Sequence, residues 1–223
     1  MKYEKPDLTV DIVLLTLIDG RLHVALMPRD KAPEAGKWAL TGGYIHTNED
    51  ADSQQAALRT LRSKLDFEPR HLEQVFTEAN AQRDPRGWSA SIVYLALHDP
   101  EVLQALVASR GMQLFDVEDD GAHLPVDMAF DHKELISKAV ARLRAKAGYS
   151  TIVGHFLPES FTIAELQGAY EAVRQTKLNP ANFRRKILEM AFLEPTSLLH
   201  SSGRPAQGYR LVHDIDYFDR ELA

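Results

Sequence analysis

The sequence predicts an α+β fold in two parts, on three observations. An apolar, β-branched run from Val10 to Ile18 is followed by a second strand pattern across Asp19-Gly20, a strong hairpin signal. Strand patterns then mix irregularly with two helical ones, which suits α+β rather than a regular βαβ series. Beyond Gly148 helical patterns dominate and close on a short hairpin.

Taken in order, residues 9–18 and 22–27 are the paired strands, and residues 37–46 hold a strand or turn broken at Gly42-Gly43. Residues 52–65 read as a helix, with Ala57, Leu58, Leu61 and Leu65 on one stripe. Ser91 to Leu97 is a buried-strand pattern, and Asp131 to Arg144 an amphipathic helix. The boundary falls at residues 147–152, giving domains 1–149 and 150–223. The 223 residues with 44% hydrophobic content are enough for two packed cores. A net charge of −6 excludes a uniformly basic coat but permits a local patch. The absence of cysteine excludes disulfides and thiolate metal sites. There is no apolar stretch near the roughly 20 residues of a membrane span, and no signal-peptide pattern, so the expected location is the cytoplasm.

In the second domain, Thr162-Ile-Ala-Glu165 is a capping box, with Phe161 and Leu166 placed as its hydrophobic staple. Asn179-Pro180 starts another helix as N-cap and first helical residue. The two helices have the layout of a helix-turn-helix. Between Glu171 and Glu189 there is no acid, but there are Arg174, Lys177, Arg184, Arg185 and Lys186. Asn182, Arg184 and Arg185 lie in the early turns that a recognition helix presents to base edges, where Arg suits guanine and Asn adenine. The competing reading is a solvated basic helix face. A strand, a turn at Ser201-Ser-Gly-Arg-Pro205 and a second strand at 208–212 then form a wing. Its Arg204 suits a narrow A·T-rich minor groove; turn chemistry explains Gly203 and Pro205 without explaining that arginine. The expected DNA contacts are Lys177, Asn182, Arg184, Arg185, Lys186 and Arg204.

Trp38-Ala-Leu-Thr-Gly-Gly43 and the residues up to Phe67 resemble the Nudix box: Gly, five residues, Glu, seven residues, Arg-Glu, an aliphatic, any residue, Glu-Glu, any residue, Gly, an aliphatic. Gly43 and Glu49 keep the first spacing, but nine residues rather than seven precede Arg59. Thr60 stands for the first Glu of the helix, Ser63-Lys64 for the metal-binding Glu pair and Asp66 for the closing Gly. Magnesium needs hard anionic oxygens, and Lys64 puts an ammonium where the cation would sit. Glu49, Asp50 and Asp52 remain nearby but lack the second set of ligands. No metal site and no catalytic residue are therefore expected.

The chain as a whole resembles the NrtR family of Nudix-related transcriptional regulators. The resemblance rests on Gly36 to Gly43, Arg83-Asp-Pro-Arg-Gly-Trp88, Ala129-Phe-Asp-His132, Phe161 to Tyr170, Asn182-Phe-Arg-Arg-Lys186 and Gly203-Arg-Pro-Ala206. It implies a Nudix-like α/β/α sandwich followed by a winged helix-turn-helix. It also implies a homodimeric repressor of NAD synthesis or NAD-linked genes, acting on a palindromic DNA operator. ADP-ribose or a related nucleotide would be an effector, with no cofactor. By similarity to ADP-ribose-binding Nudix domains, Arg83 or Arg86 meets a phosphate, with Arg29 a further candidate; the alternative is a surface Arg–Asp pair. Asp131 is expected to cap the helix that follows and His132 to sit in its first turn, while Trp38 belongs to the core. Two rival functions remain open: a hydrolase of ADP-ribose or a sugar nucleotide, and a winged helix that binds protein.

Overall fold

Strand β1 (Asp7–Ile18) is the axis of the N-terminal sheet because its apolar run can be buried on both faces: Val10, Ile12, Val13, Leu14 and Leu15 are all fully buried. The computed structural model describes residues 5–118, 121–199 and 205–218. It places β1 between β2 (Arg21–Pro28) and β6 (Ser89–Leu97), in the order β3-β2-β1-β6-β5, with β3 at Trp38–Ala39 and β5 at His71–Asn80. The β1–β6 pairing is parallel, from Asp7 opposite Ser89 to Leu15 opposite Leu97. Strand β4 (Thr41–Tyr44) pairs antiparallel with the start of β1, and β7 (Gln113–Asp116) with β2.

Helices α1 (Ser53–Leu65) and α2 (Pro100–Arg110) supply Ala56, Ala57, Leu61, Leu65 and Leu103 to one core with Val10, Ile12 and Leu14. The alternate strand residues Val13, Leu15, Val93 and Leu95 are equally buried, so the sheet is covered on its other face too. Helix α3 (His132–Ala147) buries Leu135, Ile136 and Ala139, and its Lys138 pairs with Glu78 and lies over the Phe76 ring of β5. This is the expected α/β/α sandwich. Asp52 caps α1 by accepting from Gln55 N at 2.8 Å.

The chain divides into two compact units, Met1–Thr16 with His23–Val140 and Leu17–Leu22 with Ala141–Ala223. In the second, a 3-10 helix (Thr151–Phe156) precedes α4 (Ile163–Arg174), α5 (Pro180–Glu189), β8 (Leu193–Leu199) and β9 (Ala206–Leu211). The capping box forms as expected: Thr162 Oγ1 accepts from Glu165 N at 3.2 Å, and Glu165 accepts from Thr162 N at 2.7 Å. Asn179 caps α5 by accepting from Asn182 N at 3.0 Å. Tyr170 anchors the core against Phe183 and Phe218, and its hydroxyl donates to Ser150 O at 2.7 Å.

The wing is tied to the helices by backbone bonds exchanged between Phe161 and Tyr209, at 2.9 and 2.7 Å. Gly208 makes this possible. A Cβ there would lie 2.5 Å from Thr196 Oγ1 and 2.6 Å from Ser197 O. We expect Gly208→Ala to cost about 1–3 kcal/mol of stability through forced displacement of β8. Urea denaturation of the two proteins side by side measures it; equal midpoints would show that the strand gives way freely.

Candidate functional site

The first unit carries a cleft of about 370 Å³ over β1, β2 and β4, bordered by Arg29, Lys31, Tyr44, Lys64, Arg86 and Phe130. Its floor is a buried polar network. Asp11 accepts from Ser91 Oγ at 2.6 Å and from Arg83 Nη2 at 3.4 Å. Arg83 turns its Nε and Nη2 to Asp131 at 3.0 and 3.1 Å and its Nη1 to Ser89 at 3.4 Å. Gly42 closes over this floor, since a Cβ there would lie 2.2 Å from Asp11 Oδ1.

His132 completes the floor. Its Nδ1 accepts from Leu40 N at 3.0 Å, so the ring proton is on Nε2, which faces Asp11 Oδ1 at 3.7 Å. Complete burial pushes its pKa down and keeps it neutral. Its task is to satisfy a backbone N–H between β3 and β4. Asp131 stands just before the helix, where its backbone carbonyl accepts from Glu134 N and Leu135 N at 2.9 and 3.1 Å, and both its carboxylate oxygens accept from Arg83.

The three candidate arginines all reach this cleft, in different roles. Arg83 is buried and donates to Asp11, Ser89 and Asp131, so it organises the floor. Arg29 donates to Pro33 O at 3.1 Å and lies over Phe130, 4.6 Å from the ring centroid. Arg86 is held by Asp84 at 2.9 and 2.5 Å and lies 5.6 and 6.0 Å from the Tyr44 and Phe130 centroids. Phe130 adopts φ 52°, a left-handed conformation that a bulky residue takes only under constraint. The constraint is visible: Ala129 N donates to Trp38 O at 2.8 Å, and His132 N to Ala129 O at 3.2 Å.

The box helix has been rewired. Arg59 grips Asp50 with Nε–Oδ1 at 2.6 Å and Nη2–Oδ2 at 2.8 Å, and also donates to Tyr44 O at 2.9 Å. That pairing, above all, holds the Asp50 carboxyl at a pKa of about 2. Glu49, which keeps the box spacing, is exposed, 4.0 Å from Arg59 and bonded to His46. The sequence shows Asp50 as one of three acids left near the box but not its pairing with Arg59. Thr60 and Ser63 bond back to their own helix, at Ala56 O and Thr60 O. Asp66 sits at the helix C-cap with φ 54°, which explains physically why the box ends in glycine. Lys64 extends its ammonium to Gly42 O at 2.5 Å.

In the second unit, Phe183 and Ile187 are buried, so helical periodicity turns Arg185 directly outward, with Asn182 and Arg184 on opposite flanks. Asn182, Arg184 and Arg185 are exposed and Lys186 is half-buried. Arg185 pairs weakly with Glu189 at 3.3 Å, and Lys177, itself 92% exposed, with Glu171 at 2.7 Å. Arg204 lies outside the described residues.

Sequence reasoning missed how the turn between α4 and α5 is held. Glu171 accepts from Leu178 N at 3.0 Å and from Gln167 Nε2 at 2.8 Å, while the same Gln167 amide donates to Leu178 O at 3.0 Å. Both backbone polar groups of Leu178 are thus satisfied by α4 just before α5 begins. Hydrogen bonds from Lys177, Gln167 and Leu178, in that order, bring Glu171 to a pKa of about 2. Because the folded value is depressed, this stabilisation is complete above the unfolded glutamate pKa of about 4.3 and is lost as pH falls toward about 2. Glu171→Gln should therefore be less stable than wild type at pH 7, with the difference shrinking between about pH 4.5 and 2. Denaturant melts across that range decide it; a constant difference would place the effect elsewhere.

Residues 153–211 match the family model described as the NrtR DNA-binding winged helix domain. The chain is 35% identical, over 99% of its length and 88% of the relative's, to the ADPR responsive transcriptional repressor NtrR of Acinetobacter baylyi. Its fold matches Shewanella oneidensis NrtR complexed with a 27mer DNA, with TM-score 0.87 and 36% identity over 97% of this chain and 99% of that one. The NUDIX domain of the same Shewanella protein, complexed with ADP ribose, matches 63% of this chain and 90% of its own at TM-score 0.54 and 37% identity. With a winged helix behind a Nudix-like sandwich and full-length similarity of this order, the chain belongs to the NrtR family.

Proposed function

We propose that this chain is an ADP-ribose-responsive transcriptional repressor of NAD-synthesis or NAD-linked genes. Residues 1–149 bind the effector and hold a homodimer, and residues 150–223 bind a palindromic operator. The observation that carries this reading is α5: a capped helix whose exposed Asn182, Arg184 and Arg185 lie in its early turns, with no acid in the helix before Glu189, followed by a wing. A single winged helix covers few base pairs, and two copies across a palindrome supply the affinity. The cytoplasm holds both the operator and the nucleotide.

The cleft has the chemistry for a nucleotide diphosphate. Arg29 and Arg86 carry the phosphate contacts, beside the Phe130 and Tyr44 rings that offer flat apolar surface. Arg83 supports them from the floor. Lys177, Lys186 and Arg204 complete the proposed DNA contacts through phosphate or groove.

The residues do not fit the divalent ion of a Nudix hydrolase. Helix α1 contains no acid, Ser63 and Thr60 bond to their own helix, and Lys64 occupies the cation's place. The loop acids have other work: Asp50 holds Arg59, Asp52 caps α1 and Glu49 bonds His46. Metal would supply both the Lewis acid and the activated water, so we propose that the chain is not an enzyme. Incubation with ADP-ribose and Mg²⁺ or Mn²⁺ should give no AMP above background; turnover abolished by EDTA would favour the hydrolase reading.

ADP-ribose should change operator affinity, and operator DNA must change ADP-ribose affinity by the same factor. Paired calorimetric titrations test this, and equal ADP-ribose affinity with and without operator would remove the regulatory half. Arg184→Ala or Arg185→Ala should cost about 1–3 kcal/mol and relax preference at one base position if it removes a base contact. Loss of a phosphate contact would weaken all sequences alike and lower the salt dependence. Gel shifts on a selected operator separate these outcomes; wild-type binding by both variants and by Arg204→Ala would leave α5 a solvated face.

A further inference from the structure

The cleft contains a cation that the hydrolase box lacks. Lys64 replaces one of the two metal-binding glutamates, and its ammonium donates to the carbonyl of Gly42 at 2.5 Å, beside Arg29 and Lys31. We propose that Lys64 is the resident cation of this site. It takes the place of the divalent ion and binds the diphosphate group directly, so that ligand binding needs no metal. This inference rests on the reading of the cleft as a nucleotide diphosphate site.

Three features of the molecule support it. An ammonium has three donors, and the one bond Lys64 makes among the described residues is to a neutral carbonyl. Its charge is therefore not cancelled by a carboxylate contact, whereas Arg83 is paired with Asp11 and Asp131, and Arg86 with Asp84. Second, the Gly42 bond fixes where the long side chain ends, at the strand that closes over the floor. That removes part of the rotamer entropy a free lysine would lose on binding. Third, Arg29 and Lys31 line the same cleft as Lys64, so a diphosphate can meet several cations at once. Loss of solvation is the main cause of a lowered Lys64 pKa; the pull of Asp30 and Asp11 opposes it and outweighs the repulsion from Arg29 and Lys31. An entering diphosphate offsets that repulsion. Magnesium demands near-octahedral oxygen coordination, which an ammonium in its place both repels and blocks.

The alternative role for Lys64 is a plug that only satisfies the Gly42 carbonyl. Calorimetry on the full-length protein distinguishes the two, with ADP-ribose and, separately, inorganic pyrophosphate as probes, each in EDTA and in Mg²⁺. Wild type should bind with affinities equal within about twofold in the two buffers, Lys64→Met should lose about tenfold or more for both probes, and Lys64→Arg should stay within about threefold. Thermal melts accompany each variant, and if Lys64→Met unfolds, retained metal-independent binding by Lys64→Arg still carries the point. A gain of about tenfold from Mg²⁺ in wild type, or wild-type affinity in folded Lys64→Met, overturns the proposal. ADP-ribose binding that ignores Lys64→Met removes this role and leaves the effector reading standing. Metal-free pyrophosphate binding that depends on Lys64, without ADP-ribose binding, does the reverse. If neither probe binds, both fall.

Discussion

The carboxylate of Asp11 is the constraint around which the first unit is arranged. It is a charge placed on the central strand under the closing glycine, where water reaches it poorly. Such a group is tolerable only when paired, and breaking a buried pair costs about 3–5 kcal/mol. Ser91 on the neighbouring strand and Arg83 on the loop before it supply the partners. Arg83 brings its own requirement, met by Asp131, and that fixes the segment running into α3. Phe130 is then carried to the cleft rim in a conformation it would not choose. The polar floor thus determines where the aromatic and cationic walls stand, while its own Asp11, Arg83 and His132 line the cleft between them.

A floor of this kind would let the scaffold stand without the acids of the Nudix box. Among the described residues, no hydrogen bond from Thr60, Ser63 or Lys64 of the box helix goes to Asp11, Arg83 or Asp131; Lys64 meets Asp11 only through charge. Replacing its acids by Thr60, Ser63 and Lys64 leaves the network intact. What the fold does need from the helix is an anchor to the preceding loop, and Arg59 with Asp50 provides one. Catalysis and cleft architecture rest on separate residues, so one can decay while the other is kept.

Much of this was legible in the sequence. The β1–β2 hairpin, α1, the capping box and the Asn179-Pro180 start announced themselves through local rules that tertiary structure did not override. Strand β5 was not legible, because Glu73, Gln74 and Glu78 interrupt its apolar alternation and a register shift falls between Gln74 and Phe76. Helix α2 buries only Leu103 along its length, so periodicity had little to report, although Asp99-Pro100 carried a cap signal. At the site, residue types pointed to the right loops but not to partners. Nothing local told Arg83 from Arg86, which share one loop, yet one lies in the floor and the other at the rim. Pairings such as Arg83–Asp131, 48 positions apart, are consequences of the sheet order and not of spacing.

The second unit meets a different problem with similar economy. A recognition helix must project its polar face outward while its first turn is fixed in angle, and α5 has only Phe183 and Ile187 fully buried to hold it. Two apolar anchors define an axis but leave its pitch soft. Gln167 and Glu171 stiffen it by taking the N–H and C=O of Leu178, the residue immediately before the N-cap. Lys177 shares the Glu171 carboxylate, so a lysine that is 92% exposed is also tethered to the group that holds the Leu178 N–H. An approaching phosphate competes for that ammonium without disturbing the two backbone bonds. The DNA contacts proposed for Lys177, Asn182 and Arg185 would thus be presented from a turn whose two backbone bonds do not depend on Lys177.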